Sequence, residues 1–589
     1  MSHGGDSIPC RGARVTTPGE PSAASITVCQ TLALLDDQHR GLADGVANGR
    51  YAFWLGSGIS RNRVPGLDTL VEKVLEFLRA GIDPGDPGCR FRAALDDALA
   101  LADPSAQEQA QIDYTHPVVS WSPREALLQR LVNRYSQLLN VEVEGEPSDY
   151  LLWDAVDVRA SYPADAEPDC GHLCLAILCL EGLVPDAACA NWDGLIESAI
   201  RELHGDPAYV LKVVVLPGDA RLPDRRTRLL KFHGCAVLAA HDEAKYRGAL
   251  VGSEHQITHW STGHEHQTMR DSLQALAVAK PTFVIGLSAQ DHNIQIVFAA
   301  AEEQLPWTWP SDPPPPAVFA ADELGEKHGA LLKTIYRDTF APHAADIKRG
   351  ALLRAYAEQT LCALVLYTFA AKLNEFLANA QTSLSATQLA ELGGGFITLR
   401  DLLSHAAEPD RLKFTRSFAE REGRAMSLFR SGEEPPTAGS YGPLSTGPLD
   451  DIAHDIHLVT SGMPELAGGL ALIGSGVTQH HWQVSLDTTS TGFEGALTLT
   501  TVGQPATAVY FSANPRASTQ LGLEGVSTAA GDVVIIHSTG IPEGPTRSPG
   551  GRPGRRGTGG RRDVDMADLL TTSRDLDDLY TRFREAAVL

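Results

Sequence analysis

Long apolar runs are missing from the 589-residue sequence. No stretch of about 18 consecutive apolar residues occurs, so no transmembrane helix is expected. The first 22 residues hold no apolar core of the kind found in secretory signals. Basic residues are also scarce, because 49 Lys and Arg face 73 Asp and Glu and leave a formal net charge of −24. These absences favour a cytoplasmic protein without a membrane partner, for which direct nucleic-acid binding is not expected.

Paired cysteines are a further absence. Nine cysteines is an odd number for a chain of this length, so we expect a reducing compartment and no disulfide framework. Hydrophobic residues make up 43% of the chain, which is close to the ordinary globular value. At roughly 100–200 residues per domain, the length predicts three or four structural units.

Changes of composition along the chain predict its organisation. The first 24 residues read as a disordered leader, and residues 25–345 as an α/β domain with a helical insertion at about 81–165. A helical segment follows at 346–430, and residues 431–448 have the Gly, Ser and Pro content of a linker. Residues 449–589 are predicted to form a smaller β-rich module. It carries a flexible basic loop at 541–562 and a final helix, and Gly474-Ser475-Gly476 within it reads as a hairpin turn.

Short apolar strands alternate with helical patterns in the α/β domain. The predicted strands lie at 51–55, 183–190, 210–216, 229–232, 282–287 and 317–320. This rhythm predicts a Rossmann-like parallel sheet that is covered by helices on both faces.

Polar or glycine-rich residues stand where four of these strands end. They are Gly56-Ser57-Gly58-Ile59-Ser60, Asn191-Trp192-Asp193, His233-Gly234 and Gly286-Leu287-Ser288. The carboxyl ends of parallel strands line the ligand crevice of an open sheet, so these residues are expected to converge. A Gly-Ser-Gly between a strand and a helix suits a phosphate, although an ordinary tight turn has the same pattern. Arg61 occupies the third glycine position of the dinucleotide fingerprint, and no P-loop lysine is present.

Several of these segments together resemble the sirtuin family over about residues 45–325. The motifs are FWLGSGIS (53–60), HLCLAILCLEG (172–182), ANWDGLIE (190–197), LKFHG (230–234) and FVIGLSAQD (283–291). The resemblance implies a sirtuin-like NAD-binding domain in which NAD⁺ is the substrate. It implies that His233 is the base and that Asn191 holds the ribose or the attacking water.

The resemblance also implies the remaining nucleotide contacts. The residues expected to cradle the pyrophosphate are Gly56, Ser57, Gly58 and Ser60. Gly286 and Ser288 would lie under the adenosine, and Asp193 would orient its loop or be structural. Asp291 would contact the nucleotide or cap the next helix.

Two departures separate this sequence from protein-deacylating sirtuins. Those enzymes hold a structural zinc on two CxxC pairs, whereas residues 235–281 contain Cys235 alone, so no zinc is expected. The Asp-Phe-Arg element of deacylases is replaced by Val64-Pro65-Gly66-Leu67-Asp68. His255 and His259 have metal-ligand spacing but no acidic partner pattern, and a solvated helix is the preferred reading. Both departures resemble sirtuin-like NAD hydrolases of bacterial anti-phage systems.

The sequence therefore predicts an NAD⁺ glycohydrolase that acts as a toxic effector in anti-phage defence by depleting NAD⁺. The alternatives are a sirtuin-like ADP-ribosyltransferase or protein deacylase, and a non-catalytic nucleotide-binding sensor or scaffold. The resemblance implies a homo-oligomer and a partner such as a HerA-type ATPase or an Argonaute, with the region after about residue 350 controlling oligomerisation and activation. The arginines at 547–562 are the exception to the acidic composition, and a solvated linker is their preferred reading.

Overall fold

A computed structural model describes residues 21–220, 226–287, 292–437, 440–485, 496–501, 506–523, 532–541 and 560–589. The predicted leader lies outside the described residues up to residue 20. Ala23 is buried, and its backbone N–H donates to Asp322 at 2.7 Å. The chain therefore contacts the rest of the fold from its first described residues.

The first region is built on a parallel seven-stranded sheet. Its strands are β1 (Ala52–Leu55), β2 (Asp186–Cys189), β3 (Leu211–Val214), β4 (Thr227–Lys231), β5 (Thr282–Ile285), β6 (Ala317–Ala320) and β7 (Leu352–Leu353). Their spatial order is β3-β4-β2-β1-β5-β6-β7, so the order reverses about β1. Phe53 lies opposite Ala187 on one side and Phe283 on the other. The predicted Rossmann-like sheet is confirmed.

Seventeen α-helices occur among the described residues of this region. They are α1 (Val28–Asp36), α2 (Arg40–Ala47), α3 (Leu67–Ala80), α4 (Arg90–Leu101), α5 (Ala106–Gln109), α6 (Arg124–Val132), α7 (Tyr135–Leu138), α8 (Val158–Ser161), α9 (Cys170–Leu180), α10 (Leu195–His204), α11 (Ala236–His241), α12 (Glu243–Tyr246), α13 (Glu254–Thr262), α14 (Gln267–Ala279), α15 (His292–Ala301), α16 (Glu326–Tyr336) and α17 (Phe340–Ala351).

Side chains of β1 alternate between two cores. Phe53 and Leu55 enter the core on the α9 side, whereas Ala52 and Trp54 enter the core on the opposite face. A strand covered on both faces needs apolar residues at every position, which explains why β1 is a continuous apolar run. Helices α4 to α8 occupy the predicted insertion, and α4, α6, α7 and α8 share a separate core with α3.

The helical segment predicted at 346–430 is interrupted near its start by a short strand. Helix α17 ends at Ala351, and Leu352–Leu353 pairs in parallel with β6 before the next helix. Three long helices follow, namely α18 (Ala357–Ala378), α19 (Ala386–Ala407) and α20 (Arg411–Ser431). Among the described helices, α18 is long and apolar enough by length and composition to cross a membrane, but 67% of its apolar window is buried inside the protein. In this fold it is a core helix.

The predicted β-rich module is confirmed, and in the structure it contains a mixed five-stranded sheet. Its strands are β8 (Gln483–Ser485), β9 (Leu497–Thr500), β10 (Thr507–Ser512), β11 (Asp532–His537) and β12 (Arg561–Asp565), in the order β12-β11-β10-β9-β8. Strands β10, β11 and β12 are parallel, and β8 and β9 are antiparallel. The helices are α21 (Leu449–Ile452), α22 (Ile456–Val459), α23 (Met463–Thr478), α24 (Pro515–Leu523), α25 (Met566–Thr572) and α26 (Leu576–Ala587).

The hairpin turn predicted at Gly474-Ser475-Gly476 is wrong, because these residues lie inside helix α23. Their small size serves helix packing: a Cβ atom on Gly474 would lie 2.1 Å from the carbonyl oxygen of Gly395 in α19. The predicted basic loop is also shorter than expected. Arg561 and Arg562 belong to β12 and pair with Asp563 and Asp532, whereas Arg547, Arg552, Arg555 and Arg556 lie outside the described residues.

The predicted linker is partly buried. Residues 440–448, which we call the strap, cross the end of α9, and Tyr441, Leu444 and Ser445 are each 4% exposed. Seven of the described cysteines are free and buried, as expected. Cys29 departs from that expectation, since it is disulfide-bonded.

Candidate functional site

The polar strand ends of the first sheet lie side by side. Strands β4, β2, β1 and β5 are consecutive in the sheet, and each is followed by one of the segments singled out in the sequence. Because all four strands run in the same direction, these segments share the carboxyl edge of the sheet.

The glycine loop, residues 56–60, packs directly on the turn after β5. The Gly58 N–H donates to the Gly286 carbonyl at 2.8 Å, and a Cβ atom on Gly58 would lie 2.6 Å from the Gly286 Cα. Gly286 has a φ of +67°, a left-handed conformation that favours glycine. The backbones of the two loops are in direct contact. Gly58 and Gly286 are therefore needed for this packing, whether or not the loops bind a ligand.

The tip of the glycine loop is open to solvent. Ser57 and Gly58 are exposed, and residues 57–59 form a single 3₁₀ turn. The Ser57 N–H donates to no acceptor in the part of the chain that the structure describes. Arg61 follows the loop, is exposed, and forms no ion pair or hydrogen bond with any described residue. A free amide and an unpaired guanidinium at one turn are groups that bind phosphate oxygens.

Asn191 bridges the end of β2 to this loop. Its side-chain nitrogen donates to the Gly56 carbonyl at 3.1 Å and to the Ser60 hydroxyl at 3.2 Å. Asn191 and Ser60 are 7% and 1% exposed. The amide oxygen of Asn191 makes no hydrogen bond within the described residues, so it is available to accept one from a ligand.

His172, on α9, completes this arrangement and was not predicted as a site residue. The Asp169 N–H donates to its Nδ1 at 3.2 Å, so the ring proton is on Nε2, which donates to the Ser60 hydroxyl at 3.1 Å. Burial lowers the pKa of His172 and keeps the ring neutral. His172, Ser60 and Asn191 therefore form one buried chain of hydrogen bonds.

His233 follows β4 and is held by a second residue that was not predicted. Its Nε2 lies 3.2 Å from the side-chain nitrogen of Asn293, and Asn293 is fully buried. Because an amide NH₂ only donates, His233 Nε2 accepts and carries the lone pair. Trp260 lies edge-on to the ring, with 6.4 Å between ring centroids. Asn293 follows the quoted FVIGLSAQD motif by two positions, and no spacing rule marks it.

Asp193 faces inward. Its carboxylate accepts the Leu195 N–H at 3.1 Å at the start of α10, while its backbone carbonyl accepts from Lys231. Lys231 is 1% exposed and pairs with Glu197 at 2.8 Å. Burial alone would lower the pKa of Lys231, but the neighbouring Cys235 and Glu197 raise it above the ordinary value. These contacts join the segment after β2 to α10 and to β4.

The structure brings some of the predicted site residues into direct contact, places His233 beside them, and does not describe two others. Hydrogen bonds join Gly56, Ser60 and Asn191, and a backbone bond joins Gly58 to Gly286. His233 stands at the neighbouring strand end. Ser288 and Asp291 lie outside the described residues.

His328 positions the turn after β5 from below. Its Nε2–H donates to the Leu287 carbonyl at 3.1 Å, because its Nδ1 accepts the Gly325 N–H at 3.3 Å. The ring packs on Phe319 at 4.8 Å and is 7% exposed. This histidine was also missed, since its partner is a backbone atom 41 residues away in sequence.

Comparison with known proteins gives a match to one family model, and this match covers several of these strand ends. No curated protein matches the sequence. The family model described as the SIR2-like domain matches residues 188–332, which run from the end of β2 into α16 and include Asn191, His233 and Gly286.

Proposed function

We propose that this protein is an NAD⁺ glycohydrolase that releases nicotinamide from NAD⁺ and acts as a toxic effector in anti-phage defence. The observation that carries the proposal is the shared edge of the sheet. There the hydrogen-bonded Asn191–Ser60–His172 chain stands at one strand end and His233, with a lone pair on Nε2, at the neighbouring one. The SIR2-like match over residues 188–332 supports an NAD-related site in the same place.

Cleavage of the nicotinamide–ribose bond builds positive charge on the ribose, and the leaving amide is neutral. The reaction therefore depends on positioning and on activating water or a ribose hydroxyl. A histidine whose Nε2 carries a lone pair is suited to take that proton, which is typically worth about 10²–10⁴-fold. In the proposed mechanism His233 Nε2 accepts the proton of the water or ribose hydroxyl. The hydrogen bond from Asn293 to Nε2 breaks when this happens.

The Asn191 amide oxygen is proposed to hold a ribose hydroxyl or the attacking water. Two hydrogen bonds from its nitrogen fix the side chain, so the oxygen is oriented before substrate arrives. The free Ser57 amide and Arg61 are proposed to bind the pyrophosphate, with Gly56 and Gly58 leaving room for its approach. We further propose that the protein is a homo-oligomer with a partner such as a HerA-type ATPase or an Argonaute, and that the region after residue 350 controls activation.

The decisive assay follows free nicotinamide and ADP-ribose from NAD⁺ with the purified full-length protein, alone and with the product of the neighbouring gene. Release of both products in equal amounts without a protein acceptor supports the glycohydrolase. Nicotinamide release that requires an acceptor protein, with label on that protein, would indicate transfer instead. NAD⁺ binding without turnover in every condition would leave a nucleotide sensor and overturn the proposal.

Exchange of one side chain sharpens the assignment of His233. In Asn293→Asp the neighbouring group only accepts hydrogen bonds, so His233 Nε2 becomes protonated and loses its lone pair. We expect turnover to fall at neutral pH and to recover partly as pH rises, whereas NAD⁺ binding changes less. A variant with the wild-type pH profile would contradict a role for Asn293 in positioning the base.

A further inference from the structure

The helical segment contains an unassigned cleft far along the chain from the nucleotide site. It lies between α19 and α20, with α18 as its floor and with residues of α23, β8, β9 and β10 closing it on the C-terminal side, and has a volume of about 560 Å³. Aromatic and aliphatic side chains dominate its wall, including Phe369, Phe396, Phe414 and Phe418. This volume lies in the range of small-molecule binding sites. An exposed apolar surface of this kind commonly marks a site of interaction.

Two cations on α20 line this cleft and have no side-chain partner in the described part of the chain. Arg421 is half-buried and Lys413 exposed, and neither forms an ion pair or side-chain hydrogen bond within the described residues. The Nε atom of Arg421 is buried and unsatisfied. The two residues are eight positions apart on one helix, or about 12 Å along its axis. In a chain of net charge −24, two unpaired cations beside an apolar cleft are a specific feature.

The other charged groups of the cleft each make a contact within the protein, although Oε1 of Glu422 has no partner among the described residues. Arg400 pairs with Asp36 at 2.7 Å and with Asp401 at 2.8 Å. Asp410 accepts the backbone N–H of Lys413 at 2.9 Å as the cap of α20. Glu422 accepts the Gly442 N–H at 3.1 Å, and burial raises the pKa of its carboxyl well above the ordinary range. Among the basic residues of the cleft wall, Arg421 and Lys413 remain available.

We propose that this cleft binds a single-chain amphiphilic anion, with the alkyl chain among the phenylalanines and the anionic head on Arg421. A guanidinium matches the planar geometry of carboxylate and the oxygens of phosphate. Lys413 at the rim attracts the head group, and the aromatic wall covers the chain. The inference does not rest on NAD⁺ cleavage, since no residue of the nucleotide site lines the cleft.

The test is displacement of fluorescent cis-parinaric acid from the full-length protein, below the micelle concentration of each competitor. The competitors are dodecanoate, dodecyl phosphate and the neutral dodecanol. We expect saturable binding at one site per chain, with both anions at least about tenfold tighter than dodecanol, because a charge-assisted bond contributes roughly that factor. The ratio of dodecanoate to dodecyl phosphate affinity then identifies the preferred head group.

Variants decide where binding occurs. Arg421→Met keeps the apolar stem and should weaken both anions about tenfold while leaving dodecanol unchanged. Arg424→Met is the matched control, since Arg424 lies on the same helix, pairs with Glu434 at 2.7 Å and does not line the cleft. Ala425→Trp fills the cleft and should abolish binding. No saturable binding, equal affinity for anion and alcohol, or an unaffected Arg421→Met would overturn the proposal. So would a smaller oligomer in Ala425→Trp without any anion binding, because the cleft would then receive a second copy of the chain.

Discussion

Parallel strands end beside one another in both sheets of the protein, and polar residues follow them in both. In the C-terminal sheet these groups are used internally. His537 at the end of β11 bonds Asp563 at 2.7 Å, and the Ser538 hydroxyl donates to the Gly462 carbonyl at 2.7 Å. Asn514, after β10, donates to the Arg430 carbonyl and caps α24 through Ala517.

The first sheet uses its polar strand ends differently. There the Asn191 nitrogen is fixed while its oxygen has no partner among the described residues, and His233 faces an amide instead of a carboxylate. The contrast shows that strand direction alone does not make a ligand site. What matters is whether the groups at the strand ends keep hydrogen-bonding capacity after folding.

Replacing a histidine of each sheet, His233 or His537, by alanine tests this contrast. The loss of NAD⁺ turnover in His233→Ala is the largest effect that we expect. We expect His233→Ala or Asn191→Ala to lower NAD⁺ turnover by about 10²–10⁴-fold, because the base or its oriented partner is lost. His537→Ala should leave turnover unchanged, since His537 belongs to the internally paired set. Nicotinamide release measured by chromatography, with circular dichroism to verify folding, provides the check. Wild-type turnover in His233→Ala would remove it from the site.

The next effect concerns the joint between the first region and the strap. Lys372 and Glu181 are each 1% exposed and lie 2.6 Å apart, and Tyr441 donates to the same carboxylate at 2.6 Å. Lys372→Met would leave Glu181 buried without its cation. We expect a loss of about 3–5 kcal/mol in the free energy of unfolding, measured in urea.

The control for this variant is an exposed pair in the C-terminal region. Arg574 pairs with Asp578 at 3.0 Å, with its side chain 82% exposed, so Arg574→Met should not move the urea midpoint. Equal midpoints for the two variants would show that the buried pair does not couple the regions. Replacing both partners, as Lys372→Met with Glu181→Leu, should recover part of the loss.

We expect the stability of the first region to fall at acid pH. This effect should be smaller than that of Lys372→Met. Burial lowers the pKa of His39 from 6.5 to about 4, and the residue is 1% exposed. As pH falls from 6.5 towards 4, the unfolded chain binds a proton that the folded chain does not, so stability is lost across that window. The full loss is about 3 kcal/mol. His39→Gln should flatten the dependence of the urea midpoint on pH between 7 and 4.5, whereas the exposed His241→Gln should not.

The smallest expected effect is that of metal removal. No group of three or more His, Cys, Asp or Glu that could hold a metal ion occurs among the described residues. Chelation should therefore leave NAD⁺ turnover and the unfolding midpoint unchanged, and elemental analysis should find well under one zinc per chain. Stoichiometric zinc that disappears in a His255→Ala, His259→Ala double variant would contradict this expectation.

Six of the seven strands of the first sheet could be predicted because they are mostly apolar runs bounded by turn residues, whereas the two-residue strand β7 lies between two helices and was missed. The strand ends followed from the same pattern, so Asn191 and His233 could be named in advance. Their partners could not. His172 meets Ser60 across 112 residues and Asn293 meets His233 across 60, and no local periodicity encodes such pairs.

Glycine was the least informative residue in the C-terminal half. In α23 the small residues look like a turn, yet they let α19 and α23 approach until backbone meets backbone at Gly395 and Gly474. Composition also made the strap look like solvated linker. Its burial depends on Glu181 and Gly182 at the end of α9, more than 250 residues earlier in the chain.

That strap has a consequence for where the chain can be cut. A segment rich in Gly, Ser and Pro is normally the first place a protease enters, because it fits the enzyme cleft without unfolding. Here a Cβ atom on Gly182 would lie 2.2 Å from the Thr446 carbonyl, and the Tyr441 N–H donates to Leu203 at 2.8 Å. Cleavage within it must wait for the end of α9 to open, and the nicked halves would stay together afterwards. Resistance of this stretch to a subtilisin-like enzyme of broad specificity would therefore measure how firmly the two halves of the protein are held, and not how long the tether between them is.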